Sequence, residues 1–104
     1  MSHPYEGEAL LDALESGEVR VAERGDDGVW TVHAWVKEAI LDVFKSSPVA
    51  DIGTDRALWP FVDKAALPPR RFAAVDGVRL VPGGSAVRRG AHLARGVICM
   101  PPMY

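Results

Sequence analysis

The sequence predicts an α+β protein. A small N-terminal cap domain with two main helices and a hairpin spans residues 1–84, and the first coil of a left-handed parallel β-helix follows over residues 85–104. Three patterns predict this. Apolar residues recur at helical spacing in two segments, two β-rich runs flank a turn-forming tetrad, and the last stretch divides into hexads with a shared residue preference.

The first helix is expected over residues 6–16. Ala9, Leu10, Ala13 and Leu14 share one face there, and Gly17 stands where a helix end favours a left-handed residue. Residues 19–23 and 29–34 read as the two strands of a hairpin. Val19 and Val21 alternate with Arg20 and Ala22, and the second run carries Val29, Trp30, Thr31 and Val32. Gly25-Asp26-Asp27-Gly28 connects them with residues that tolerate positive φ or form side-chain turns.

The second helix is expected over residues 35–45. Trp35, Val36, Ala39, Ile40, Val43 and Phe44 form its apolar stripe, and Lys37, Glu38, Asp42 and Lys45 fall opposite. Pro48 ends it, because proline disfavours helical geometry in the residue before it. Residues 48–69 read as loops around a short turn near 61–66, with Leu58, Trp59, Phe61 and Val62 as apolar anchors. Residues 72–75 and 78–81 read as short extended runs, and Asp76-Gly77 between them is a hairpin-turn signal.

The three hexads are residues 87–92, 93–98 and 99–104. Their first positions are compact and apolar (Val87, Leu93, Cys99), their fourth positions are turn formers (Gly90, Gly96, Pro102), and their fifth are apolar (Ala91, Val97, Met103). A six-residue period of this kind suits a triangular coil of short flat strands, each supplying one inward side chain. Such coils need stacked neighbours to bury their apolar edges. The reading therefore expects the front end of a larger protein. It expects the isolated chain to be inactive and to associate through its last coil.

Composition narrows the function classes. The chain has 104 residues, a formal charge of −2 and 25% charged residues. The near-neutral balance argues against a nucleic-acid binder, and Arg70-Arg71 and Arg88-Arg89 are too short to track phosphates. No apolar run reaches the ~20 residues of a membrane span. The N-terminus has no basic start followed by an apolar stretch, and one cysteine excludes an internal disulfide. A reduced, cytoplasmic setting without membrane contact is expected.

Most candidate chemistry has a plainer explanation. His3, His33, His92 and Cys99 lack metal-ligand spacing, so no metal site is expected. His33 reads as a packed, hydrogen-bonded residue at a strand–helix junction, and Cys99 as an inward apolar filler. Trp30, Trp35 and Trp59 read as core. Asp26 and Asp27 belong to a turn, and Glu8, Asp12 and Glu15 to a solvated helix side. No nucleophile elbow, P-loop or dinucleotide fingerprint occurs. Arg79 stands between apolar residues in Val78-Arg79-Leu80-Val81. A guanidinium there can either face solvent or grip a carboxylate through two parallel charge-assisted hydrogen bonds.

A set of ordered motifs carries a resemblance. Leu14-Glu15-Ser16-Gly17-Glu18-Val19-Arg20-Val21-Ala22-Glu23, Gly28-Val29-Trp30 and His33-Ala34-Trp35-Val36-Lys37-Glu38-Ala39-Ile40-Leu41 resemble the start of the tetrahydrodipicolinate N-succinyltransferases. Val62-Asp63-Lys64, Gly77-Val78-Arg79-Leu80-Val81-Pro82, Ala86-Val87-Arg88-Arg89-Gly90-Ala91, and Met100-Pro101 with Tyr104 are similar to the family's run into its β-helix. The resemblance implies the N-terminal part of a hexapeptide-repeat acyltransferase of lysine and diaminopimelate biosynthesis. Such an enzyme moves succinyl from succinyl-CoA, its co-substrate, to the amino group of a ring-opened dicarboxylate, and works as a homotrimer with sites between neighbouring β-helices. The residue matching Arg79 then binds a substrate carboxylate. Catalytic and CoA-binding residues are expected outside this chain, which is expected to bind no cofactor of its own. The alternative is a non-catalytic binding or interaction module that keeps only the cap fold, with an exposed strand edge for docking.

Overall fold

In the computed structural model, which describes residues 5–52 and 61–104, two helices form the centre of the cap. Helix α1 is Gly7–Ser16 and ends at Gly17, whose φ of 84° lets its amide donate to the Leu14 carbonyl. An antiparallel hairpin follows, with β1 at Ala22–Arg24 and β2 at Trp30–Val32, and Glu23 opposite Thr31. The Asp27 carboxylate accepts the Val29 amide at 2.9 Å, and the Gly25 amide donates to the Val29 carbonyl across the turn. Helix α2 is Ala34–Ser46, and Ser47 is extended ahead of Pro48 as that proline requires.

The core lies between the two helices. Leu10 and Val36 are wholly buried, and Ala13, Val19, Ala39, Val43 and Leu67 close around them. Trp35, Ile40, Phe44 and Leu14 pack on its edge, and the Tyr5 ring stacks on Trp35. The face of α1 is rotated from the expected one. Ala9 is exposed and Leu11 is buried, because α1 is covered on two sides: by α2 along Leu10 and Ala13, and by the C-terminal segment along Leu11.

Three expectations need correction. Residues 48–69 are not only loop: β3 (Val49–Asp51) pairs antiparallel with β4 (Val62–Lys64), giving a second hairpin. The Ser47 hydroxyl accepts the Ala66 amide at 2.8 Å and the Lys64 ammonium donates to the Ser47 carbonyl, which hold this hairpin beside the end of α2. Secondly, Asp76-Gly77 does not turn a hairpin. The Asp76 carboxylate accepts the Ala73 amide at 2.8 Å and Gly77 takes a φ of 71°, so the pair closes a short 3-10 helix, Ala74–Asp76. The run after it, β5 (Arg79–Leu80), pairs instead in parallel with β6 (Ile98–Cys99). Thirdly, Trp30 is exposed, because no element among the described residues covers the first hairpin there. Leu58 and Trp59 lie outside the described residues.

The C-terminal segment passes over itself in parallel. Arg79 pairs with Ile98 and Leu80 with Cys99, nineteen positions on, while Ser85 bridges Met103, eighteen positions on. The spare residue is taken up at Gly83 and Gly84, both at positive φ between the two contacts. Four backbone bonds of 3.0–3.1 Å hold the layers together: Arg79 to Val97, Val81 to Cys99, Met103 to Gly84, and Ala86 to Met103. Val87 and Cys99, first positions of their hexads, are buried, and Leu93 is half-buried. Gly90 and Gly96, both fourth positions, take the positive φ that the corners demand.

Candidate functional site

Alternation along the parallel pair decides where Arg79 faces. Successive side chains of a strand point to opposite sides. Leu80 and its partner Cys99 turn inward, whereas Arg79 and its partner Ile98 are exposed on the outer face. The backbone of Arg79 is fixed by its bond to the Val97 carbonyl. Its guanidinium makes no hydrogen bond or ion pair with any described residue.

The other arginines of this region are engaged. Arg89 reaches α1, where Glu15 (2.7 Å), Asp12 (3.0 Å) and Glu8 accept from it. These carboxylates sit at i, i+4 and i+7, which is one helix face. They were expected to be solvated; Glu8 and Asp12 remain largely exposed, but Glu15 is 18% exposed and also accepts the Gly90 amide at 2.9 Å. Burial alone would lower the Arg89 pKa; the hydrogen bonds it donates to Glu15, Asp12 and Glu8 outweigh it and hold the pKa above its ordinary value. Arg70 faces the second oxygen of Glu15 at 3.6 Å and lies over the Phe72 ring. Arg88 sits between the Phe44 and Tyr104 rings, donating to the Tyr104 hydroxyl at 2.7 Å and to Asp63 at 3.3 Å. Arg70 also donates to the Ala91 carbonyl at 2.5 Å, so three arginines fasten the cap to the C-terminal segment, and Arg79 is left facing out.

Two of the remaining sequence candidates, His33 and His92, have hydrogen-bond partners. His33 meets the Glu23 carboxylate at 2.8 Å at the start of α2, and a His92 ring nitrogen meets the Glu15 carbonyl at 2.8 Å. Cys99 is a buried free thiol, as its hexad position implies. His3 lies outside the described residues. Among the described residues, no three or more His, Cys, Asp or Glu side chains gather as metal ligands. No helix among them is long and apolar enough to cross a membrane.

A cavity of about 450 Å³ opens between the second hairpin and the C-terminal segment, lined by Ile52, Phe61, Val62, Pro69, Ser85 and Met103 among others. Among the described residues its walls are chiefly apolar, the one carboxylate (Asp63) is committed to Arg88, and Arg79 does not line it. It is therefore separate from the outward face that carries Arg79.

Set beside known proteins, this two-helix α+β cap with its hexad-patterned C-terminal segment is similar to the N-terminal part of a class of succinyl-transferring enzymes. The family model described as tetrahydrodipicolinate N-succinyltransferase N-terminal matches residues 8–45. The chain is 44% identical over 101 residues to the 2,3,4,5-tetrahydropyridine-2,6-dicarboxylate N-succinyltransferase of Paramagnetospirillum magneticum, covering 90% of this chain and 34% of that protein. It is 42% identical over 100 residues to the protein of the same name from Nitrobacter hamburgensis, covering 88% and 34%. With that of Mesorhizobium japonicum it shares 43% identity over 97 residues, covering 88% and 33%. The chain is similar to the N-terminal portion of the tetrahydrodipicolinate N-succinyltransferases. It spans about a third of the length of these curated relatives.

Proposed function

We propose that this chain supplies the N-terminal cap and the opening coil of an acyltransferase that moves succinyl from succinyl-CoA to the amino group of ring-opened tetrahydrodipicolinate, in the cytoplasmic synthesis of lysine and diaminopimelate. The observation that carries this reading is the 44% identity to a named N-succinyltransferase along nearly the whole chain. The parallel layers spaced by eighteen and nineteen positions support a left-handed β-helix starting here, three hexads to a coil. In the assembled enzyme, a homotrimer, the outer face bearing Arg79 lines a groove between neighbouring β-helices.

In this reading Arg79 takes one carboxylate of the acceptor in a two-pronged grip and aims its amine at the thioester. The amine nitrogen bonds to the thioester carbonyl carbon, the carbon–sulfur bond breaks, and the amine proton passes to a carboxylate outside this chain. That carboxylate hands the proton on to the departing sulfur, so CoA leaves as the thiol. The cap and first coil contribute binding and orientation, so this stretch by itself turns over no substrate.

Steady-state kinetics of the full-length enzyme with Arg79→Ala test the reading. The apparent KM for the dicarboxylate acceptor rises at least about tenfold, the loss of a charge-assisted pair, while that for succinyl-CoA stays put. An unchanged acceptor KM removes Arg79 from the site; absence of succinyl transfer by the unaltered enzyme removes the proposed activity.

A further inference from the structure

We infer that Arg95 is the second carboxylate-binding residue of the acceptor site, so that Arg79 and Arg95 together grip the two ends of a dicarboxylate. This rests on the acceptor role of Arg79 proposed above. The two residues come from adjacent layers of the same corner. The Gly96 amide donates to the Gly77 carbonyl at 2.7 Å and the Arg79 amide to the Val97 carbonyl at 3.0 Å, so residues 77–79 and 96–98 run side by side. The Arg95 guanidinium donates to the Val75 carbonyl at 2.8 Å and lies directly over Gly77. A Cβ at Gly77 would stand 2.9 Å from the Arg95 Cζ, so the missing side chain makes room for it. Arg79 is two residues further on, its Cα within about 7 Å of that of Gly77.

Charge separates this pair from its neighbours. Arg70, Arg88 and Arg89 each face a carboxylate of the cap. Arg79 and Arg95 are both exposed and face none among the described residues. The nearest acid in sequence, Asp76, bends back to accept the Ala73 amide. Two guanidinium groups held at one corner without an acidic partner repel each other until anions arrive, and guanidinium favours planar carboxylates. The relatives' printed name specifies an acceptor with two carboxylates. One arginine accounts for one of them; Arg95, anchored by a single donor, has donors left for the other.

The test uses the full-length protein, with pimelate (the same carbon skeleton bearing two carboxylates) and heptanoate (one carboxylate) titrated by calorimetry. Unaltered protein binds pimelate more tightly than heptanoate, and Arg95→Gln weakens pimelate about tenfold or more and erases that preference. Arg95→Lys recovers part of it, and Gly77→Ala, which displaces the guanidinium without removing its charge, weakens pimelate too. Pimelate affinity unchanged in Arg95→Gln but lowered in Arg79→Gln overturns the inference and leaves the role of Arg79 standing. A raised KM for succinyl-CoA with pimelate binding intact also overturns it, by placing the pair on the donor. No succinyl transfer by unaltered protein defeats the proposed function, and the titration still decides whether the pair holds a dicarboxylate.

Discussion

Glu15 Oε2 accepts from the Arg89 guanidinium at 2.7 Å, joining the last turn of α1 to the corner that precedes Gly90. The same oxygen accepts the Gly90 amide, so one carboxylate holds both a side chain and a backbone group of the C-terminal segment. Leu11, one turn earlier, packs against Gly90 so closely that a Cβ there would lie 3.2 Å from its methyl. This polar and apolar seam explains why α1 is covered on two sides.

Glu15→Ala is expected to destabilise the fold by about 1–3 kcal/mol, since it takes from Arg89 its least exposed carboxylate, leaving only Asp12 and Glu8, and leaves the Gly90 amide without its acceptor. Glu8→Ala and Asp12→Ala, at 77% and 72% exposed carboxylates, cost less than about 1 kcal/mol each. Urea unfolding midpoints for the three variants check the ranking; equal shifts would show that the seam does not depend on Glu15.

Arg88→Ala removes contacts with two rings, the Tyr104 hydroxyl and Asp63 at once. A loss of about 1–3 kcal/mol follows. Arg88→Lys recovers little of it, because an ammonium can neither stack flat between rings nor fork to two acceptors. Chemical denaturation of the pair of variants measures this, and full recovery by lysine would refute the stacking account.

Gly17→Ala combines two penalties. Its φ of 84° is left-handed, and the added Cβ would sit 3.0 Å from an Arg20 nitrogen and 3.1 Å from the His92 ring. The expected cost is about 1–2 kcal/mol, seen as a lower Tm. An unchanged Tm would mean that the helix end has another conformation.

Tyr5 sets a pH dependence. Its hydroxyl donates to Glu18 at 2.8 Å, and that hydrogen bond, with burial and the Glu18 charge adding to it, raises its pKa above 10.0. A raised folded pKa means that the bond's contribution is complete below pH 10.0 and disappears as pH climbs through the folded value. Tyrosinate absorbance titration should place Tyr5 higher in the native protein than in Glu18→Gln. Coincident curves would exclude the bond in solution.

Local pattern carried much of this architecture, and long-range contact decided the rest. Both helices, the Gly17 cap, the first hairpin and the buried first hexad positions Val87 and Cys99 were legible, because spacing and turn chemistry act over a few residues. Residues 49–51 and 62–64 gave no such signal: each strand is three residues long, too short to show a period, and pairs across a distance in sequence. Asp76-Gly77 suits either a hairpin turn or a helix stop, and the parallel partner Ile98–Cys99 chose between them. The acidic face of α1 looked solvated because its partner, Arg89, is more than seventy positions away. The motifs pointed to Arg79, but its outward direction came from the strand pairing. Placing Arg95 beside it took the stacking of two layers, since residues 77 and 95 become neighbours only when the chain closes on itself.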